Sequence, residues 1–141
     1  MIIPSVKLSG KIIIPSSKSQ TIRALLISVF SRGVSYIKHP LISDDTESCI
    51  NAVKAMGADV NILENGDITV DATYAFSDMD ELSIDAGNSG TTEYLSLPML
   101  SSLGIQVNID GDEMLRKRPL KPLLDALESL GAETESTEGF P

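Results

Sequence analysis

The stretch "PSSKSQTIRALL", Pro15 to Leu26, places Lys18, Arg23 and the serines Ser16, Ser17 and Ser19 where an apolar run turns into a helix. Before it, "KIIIP" predicts a short buried strand over 11–14, closed by Pro15. After it, Ile22, Leu25, Leu26 and Val29 recur at helical spacing and predict a helix over 18–31. Ser16 and Ser17 are N-cap candidates, so Lys18 and Ser19 open the helix. The backbone N–H groups there have no intrahelical partner, and the macrodipole favours negative charge. Ser19 and Arg23 are four residues apart on one face, so a bound phosphate can touch both. The competing account is ordinary helix capping with two solvated cations.

The charge pattern bears on that choice. The 141 residues carry a formal net charge of -9, against generic nucleic-acid binding. Seven of the eleven basic residues lie between Lys7 and Lys54, and the other four crowd into "RKRPLK", Arg116 to Lys121. Between Ala55 and Leu115 there are twelve acids and no Lys or Arg. An acidic chain that keeps two basic clusters at loop-to-helix junctions suits capture of a small, multiply charged anion. Hydrophobic residues make up 42%, enough for one domain with a core rather than a disordered chain. No apolar run approaches the roughly 18 residues of a membrane span. "MIIPSVKLSG" is too short and broken to read as a secretory signal. Cys49 is the single cysteine, expected as a small core residue in a reducing cytoplasm. His39 precedes Pro40 in an expected surface turn and has no Cys or His neighbours with which to bind metal.

The chain resembles itself. "AVKAMGADV" (Ala52–Val60) parallels "ALESLGAET" (Ala126–Thr134), and "LISVFSRGVSYIKHP" (Leu26–Pro40) parallels "LPMLSSLGIQVNIDG" (Leu97–Gly111). The first unit then reads strand 11–14, helix 18–31, strand 34–38, helix 45–56, strand 58–63 and strand 67–71. The second reads strand 82–85, helix 89–102, strand 105–109, helix 119–130 and a strand from Ala132. Pro98 is expected to kink or shorten its helix. The fold class is α/β, built of repeated βαβαββ units. "GNSGTT" (Gly87–Thr92) opens the helix equivalent to that of "SSKS". There Gly87 and Gly90 allow close backbone approach, and Asn88 or Ser89 can cap. The chain stops at Pro141, one strand short of a second full unit, and reads as a fragment.

"PSSKSQTIRALL", "SDDT", the "LGA"-type helix ends, "GNSGT" and "RKRPL" resemble, in order and spacing, the enolpyruvyl transferases, above all the branch that acts on shikimate 3-phosphate. The resemblance covers essentially the whole chain but about the first third of a typical member. It implies an inverse α/β-prism of two lobes, each with three βαβαββ units. Residues 1–10 would be a crossover segment, 11–80 unit one and 81–141 an incomplete unit two, packed against the missing remainder. The implied reaction is transfer of the enolpyruvyl group of phosphoenolpyruvate to the 5-hydroxyl of shikimate 3-phosphate, releasing phosphate, in the cytoplasm and in service of aromatic amino acid biosynthesis. It needs no metal and no organic cofactor, and no nucleic acid or membrane partner. By the same resemblance Lys18, Ser19 and Arg23 hold shikimate 3-phosphate, while Lys18, Asn88, Gly90, Thr91 and Arg118 hold phosphoenolpyruvate. The proton-transfer groups are unassigned, with Lys18 as the candidate. The family usually has Met-Arg where this chain has Glu93-Tyr94, and often a further arginine at Met114; a lost cation and an added carboxylate are expected to weaken anion binding.

Three alternatives stand beside this reading. The branch acting on UDP-N-acetylglucosamine has Lys-Asn at Lys18-Ser19. A P-loop nucleotide binder needs Gly at position 17, where this chain has Ser17. A non-catalytic remnant of the fold would tolerate Glu93-Tyr94. Taken alone, the 141-residue chain is expected to show no turnover.

Overall fold

Ser17 caps the first helix, α1 (Lys18–Phe30), with its Oγ accepting from the Gln20 N–H at 3.4 Å. In a computed structural model, which describes residue 7 and residues 9–137, α1 turns Ile22, Leu25, Leu26 and Val29 into the core. Each such burial is worth roughly 1.5–3 kcal/mol, which fixes the helix's rotation about its axis. The chain turns through Arg32, at φ 50, into strand β1 (Val34–Ile37).

Helix α2 (Asp44–Ala55) starts with a capping box between Ser43 and Thr46. Asp44, Asp45 and Glu47 fill its first turn, where the macrodipole favours carboxylates. Its Cys49, Ile50, Val53 and the following Met56 pack into the same core as α1. Strands β2 (Asp59–Ile62) and β3 (Ile68–Asp71) complete an antiparallel sheet of order β1-β3-β2, with Val60, Ile68 and Val70 buried. Strands β4 (Glu81–Asp85) and β5 (Gln106–Asp110) pair in parallel, Glu81 opposite Gln106 through Asp85 opposite Asp110. A parallel pair needs a crossover, and helix α3 (Gly90–Leu100) supplies it. Helix α4 (Lys121–Ser129) buries Leu124 and Leu127.

These elements form the expected α/β class, and most fall within two residues of their expected bounds. Two expectations are corrected, and the shortening expected at Pro98 is met. Residues 11–14 form no strand: Ile12, Ile13 and Ile14 are 83–89% exposed, because no described strand offers them an edge. Residues 132–136 are irregular for the same want of a pairing edge, with a lone bridge at Thr137. Helix α3 runs through Pro98 but ends at Leu100 and tightens into a 3-10 turn over Ser101–Leu103. Pro98 has no N–H to continue the ladder, so the shortening is local. Cys49 is buried as expected, and the desolvated thiol is pushed up to about 12. His39 is exposed in a turn, with its N–H donating to Asp67 Oδ1 at 2.8 Å. The crossover segment expected over 1–10 lies for the most part outside the described residues.

Candidate anion site

The carboxyl ends of β4 and β5 are stitched together by backbone. The Ala86 N–H donates to the Asp110 carbonyl at 2.8 Å, and the Asp112 N–H to the Gly87 carbonyl at 2.9 Å. Crevices beyond the carboxyl ends of parallel strands are where α/β proteins bind ligands. Gly87, at φ 55, folds the loop against α2: a Cβ there would lie 2.5 Å from Ser48 Oγ. Ser89 is the N-cap of α3, its Oγ accepting from the Thr92 N–H at 3.3 Å. Asn88 is exposed and leaves the capping to its neighbour. Thr91 is half-buried on the first turn.

The two arginines of "RKR" have separate fates. Arg116 forks onto Asp110, Nε to Oδ1 at 2.8 Å and Nη2 to Oδ2 at 2.5 Å, and holds that carboxyl below the ordinary carboxylate range. Arg118 turns to α3. Its Nη2 donates to Asn88 Oδ1, and its Nη1 lies where a Cβ on Gly90 would approach to 2.6 Å. The Arg118 guanidinium thus lies over the helix start and makes no ion pair among the described residues. A cation set on the positive end of a helix dipole is poised for an anion. Tyr94, where the family's arginine would stand, donates its hydroxyl to the Pro119 carbonyl and ties the Arg118 loop to α3.

The start of α1 joins this end of the molecule through α2. Lys18 Nζ pairs with Asp45 Oδ2 at 2.5 Å, in the first turn of α2, and Ser48 one turn further meets Gly87. The starts of α1, α2 and α3 therefore gather at one end. Arg23 folds along its helix, Nη1 donating to the Ser19 carbonyl at 3.4 Å, so the two residues share one face as the spacing predicts. Asp45 as the partner of Lys18 is new from the structure, although "SDDT" marked the segment.

Glu93 was legible only as an added charge. It is fully buried, and neither carboxylate oxygen has a hydrogen-bond partner. Desolvation pushes it up from 4.5 to about 7; Arg118 pulls the other way and Asp110 adds to the rise. Its register was readable: Glu93 lies three and seven residues before Ser96 and Leu100, both on the buried face of α3. A separate cavity of about 520 Å3 lies beside α4, lined among others by Lys121, Asp125, Glu128 and Glu135. Three carboxylates against one lysine do not suit an anion. Among the described residues no group of three or more His, Cys, Asp or Glu is arranged to hold a metal, and no helix is long and apolar enough to cross a membrane.

Helices that start at the carboxyl ends of strands, with Lys18 at the start of α1 and Arg118 over the start of α3, define an α/β protein with two cations at one polar end of an acidic chain. The chain belongs to the family EPSP synthase (3-phosphoshikimate 1-carboxyvinyltransferase), whose model matches residues 2–141. It is 40% identical over 135 residues to a 3-phosphoshikimate 1-carboxyvinyltransferase of Nitrosopumilus maritimus, covering 96% of this chain and 32% of that protein. A protein of the same description from Methanothermobacter thermautotrophicus is 43% identical over 139 residues, covering 95% and 32%. The fold matches the structure of EPSP synthase from Acinetobacter baumannii with a TM-score of 0.75 at 27% identity, covering 94% of this chain and 31% of that one. The chain spans about a third of the length of the curated relatives it matches.

Proposed function

We propose that this chain supplies anion-binding parts of an enzyme that transfers the enolpyruvyl group of phosphoenolpyruvate to the 5-hydroxyl of shikimate 3-phosphate. In that reaction the hydroxyl oxygen adds to the central carbon of phosphoenolpyruvate while a proton goes to its methylene. Loss of phosphate and of a methyl proton then regenerates the double bond. Lys18, Ser19 and Arg23 are assigned to the phosphate of shikimate 3-phosphate, and Arg118, Asn88, Gly90, Thr91 and Lys18 to phosphoenolpyruvate. Bidentate contacts from a guanidinium suit both the carboxylate and the phosphate of that substrate. The observation that carries the reading is Arg118 laid over Gly90 at the start of α3, with no carboxylate at ion-pair distance among the described residues. The Lys18–Asp45 pair supports a role in which Lys18 exchanges a carboxylate for a substrate anion.

Titration calorimetry on the chain tests the assignment. Charge-assisted contacts are worth about 1.5–3 kcal/mol each. Arg118→Ala is therefore expected to weaken phosphoenolpyruvate binding at least about tenfold, and Lys18→Ala to do the same for shikimate 3-phosphate. Unchanged affinities in both variants would refute it.

A further inference from the structure

We propose that Glu93 is the proton-binding partner of the anion site at the start of α3: capture of an anion by Arg118 and the helix start is accompanied by uptake of a proton on Glu93, a residue that never touches the ligand. The inference rests on reading this place as an anion site.

Arg118 lies over Gly90 at the start of α3, and the buried Glu93 is three residues further along the same helix, close enough for the two charges to bear on each other. Glu93 lies in the first turn of α3, wholly out of solvent, with both oxygens unpaired. The two charges that bear on it both come from the β5 end, Arg118 and Asp110. Asp110 is already committed to Arg116 and to the Gly111 N–H at 2.7 Å, so it cannot serve as the counter-charge of Arg118. From α2 the titratable group at this helix is the Cys49 thiol, which interacts with Thr92 and stays protonated. Lys18 of α1 and Asp45 of α2 are paired with each other. On α3 itself the Tyr94 hydroxyl is engaged with Pro119.

Glu93 is thus a buried carboxylate whose charge Arg118 offsets while no anion is bound. A captured dianion draws on the same guanidinium from outside. Two negative centres flanking one guanidinium, one of them in a dry interior, cannot both stay ionised cheaply. The buried carboxylate is the one that accepts a proton. Neutral Glu93 then leaves Arg118 and the helix start wholly to the ligand.

Sulfate is the probe, because it is fully ionised across the range and brings no proton of its own. Its binding to the chain is followed by titration calorimetry at about pH 6 and about pH 8.5, and near neutrality in two buffers of different protonation enthalpy. Wild type is expected to bind about tenfold tighter at the lower pH and to take up a fraction of a proton near neutrality. Glu93→Gln, and the apolar Glu93→Met, should bind at both pH values with a flat profile and no uptake. Arg118→Ala should lose the proton-linked binding. A flat wild-type profile, or uptake that persists in Glu93→Gln, would overturn the inference and leave the anion site standing. Absence of sulfate binding by both wild type and Glu93→Gln at either pH would overturn the anion site itself, and this inference with it.

Discussion

The Tyr94 hydroxyl donates to the carbonyl of Pro119, one residue after Arg118. A side chain of the first turn and a half of α3 therefore holds the backbone that aims the guanidinium. This alters what the absent arginine at position 94 means. Position 94 carries a tether on a neighbouring cation rather than a cation of its own.

Tyr94→Phe removes one hydrogen bond at an exposed position, worth about 0.5–1.5 kcal/mol. The fold should survive with a small loss of stability in urea. Phosphoenolpyruvate affinity should fall severalfold, because Arg118 is no longer pre-aimed. If affinity is untouched while stability drops, the bond serves the fold alone.

Gly90→Ala tests the other contact of Arg118. The new Cβ would lie 2.6 Å from Nη1, the end of a flexible side chain, so the arginine moves and the helix does not. Stability is expected to stay within about 0.5 kcal/mol of wild type. Phosphoenolpyruvate affinity should drop at least about tenfold if the guanidinium leaves the helix start. A large loss of stability instead would mean that the backbone, rather than Arg118, has to yield.

The buried carboxyl also makes a prediction about stability against pH. Glu93 rises from 4.5 when unfolded to about 7 when folded. A group with a raised folded value contributes stability that is fully present below the unfolded value and lost as pH climbs through the folded one. Wild type should therefore lose about 3 kcal/mol between pH 4.5 and 7, relative to Glu93→Gln, and then level off. Asp110 and Asp67 are shifted down, so their contributions fail on the acid side of the carboxylate range and leave this window clean. Urea denaturation of both proteins at about pH 5 and about pH 8 checks it. Parallel curves would mean that the carboxyl is solvated in solution.

What the sequence by itself determined is local. Apolar spacing placed α1 and its buried face, Ser17 capped it, and "GNSGTT" marked a turn into a helix beyond a strand. Those signals rest on periods of two and 3.6 residues and on backbone groups within one turn, so they need no knowledge of distant neighbours. The tertiary structure decided the pairings. Arg116 and Arg118 are two residues apart in a run of like charge, yet one is spent on Asp110 and the other lies over Gly90. Three isoleucines at 12–14 read as a buried strand but are exposed, because a strand exists only where another offers an edge. Glu93 reads in the sequence as an added carboxylate beside an anion site, and packing of α3 against the core puts it in the dry interior. Charge is written in the sequence; its partner and its dielectric are set by residues dozens of positions away.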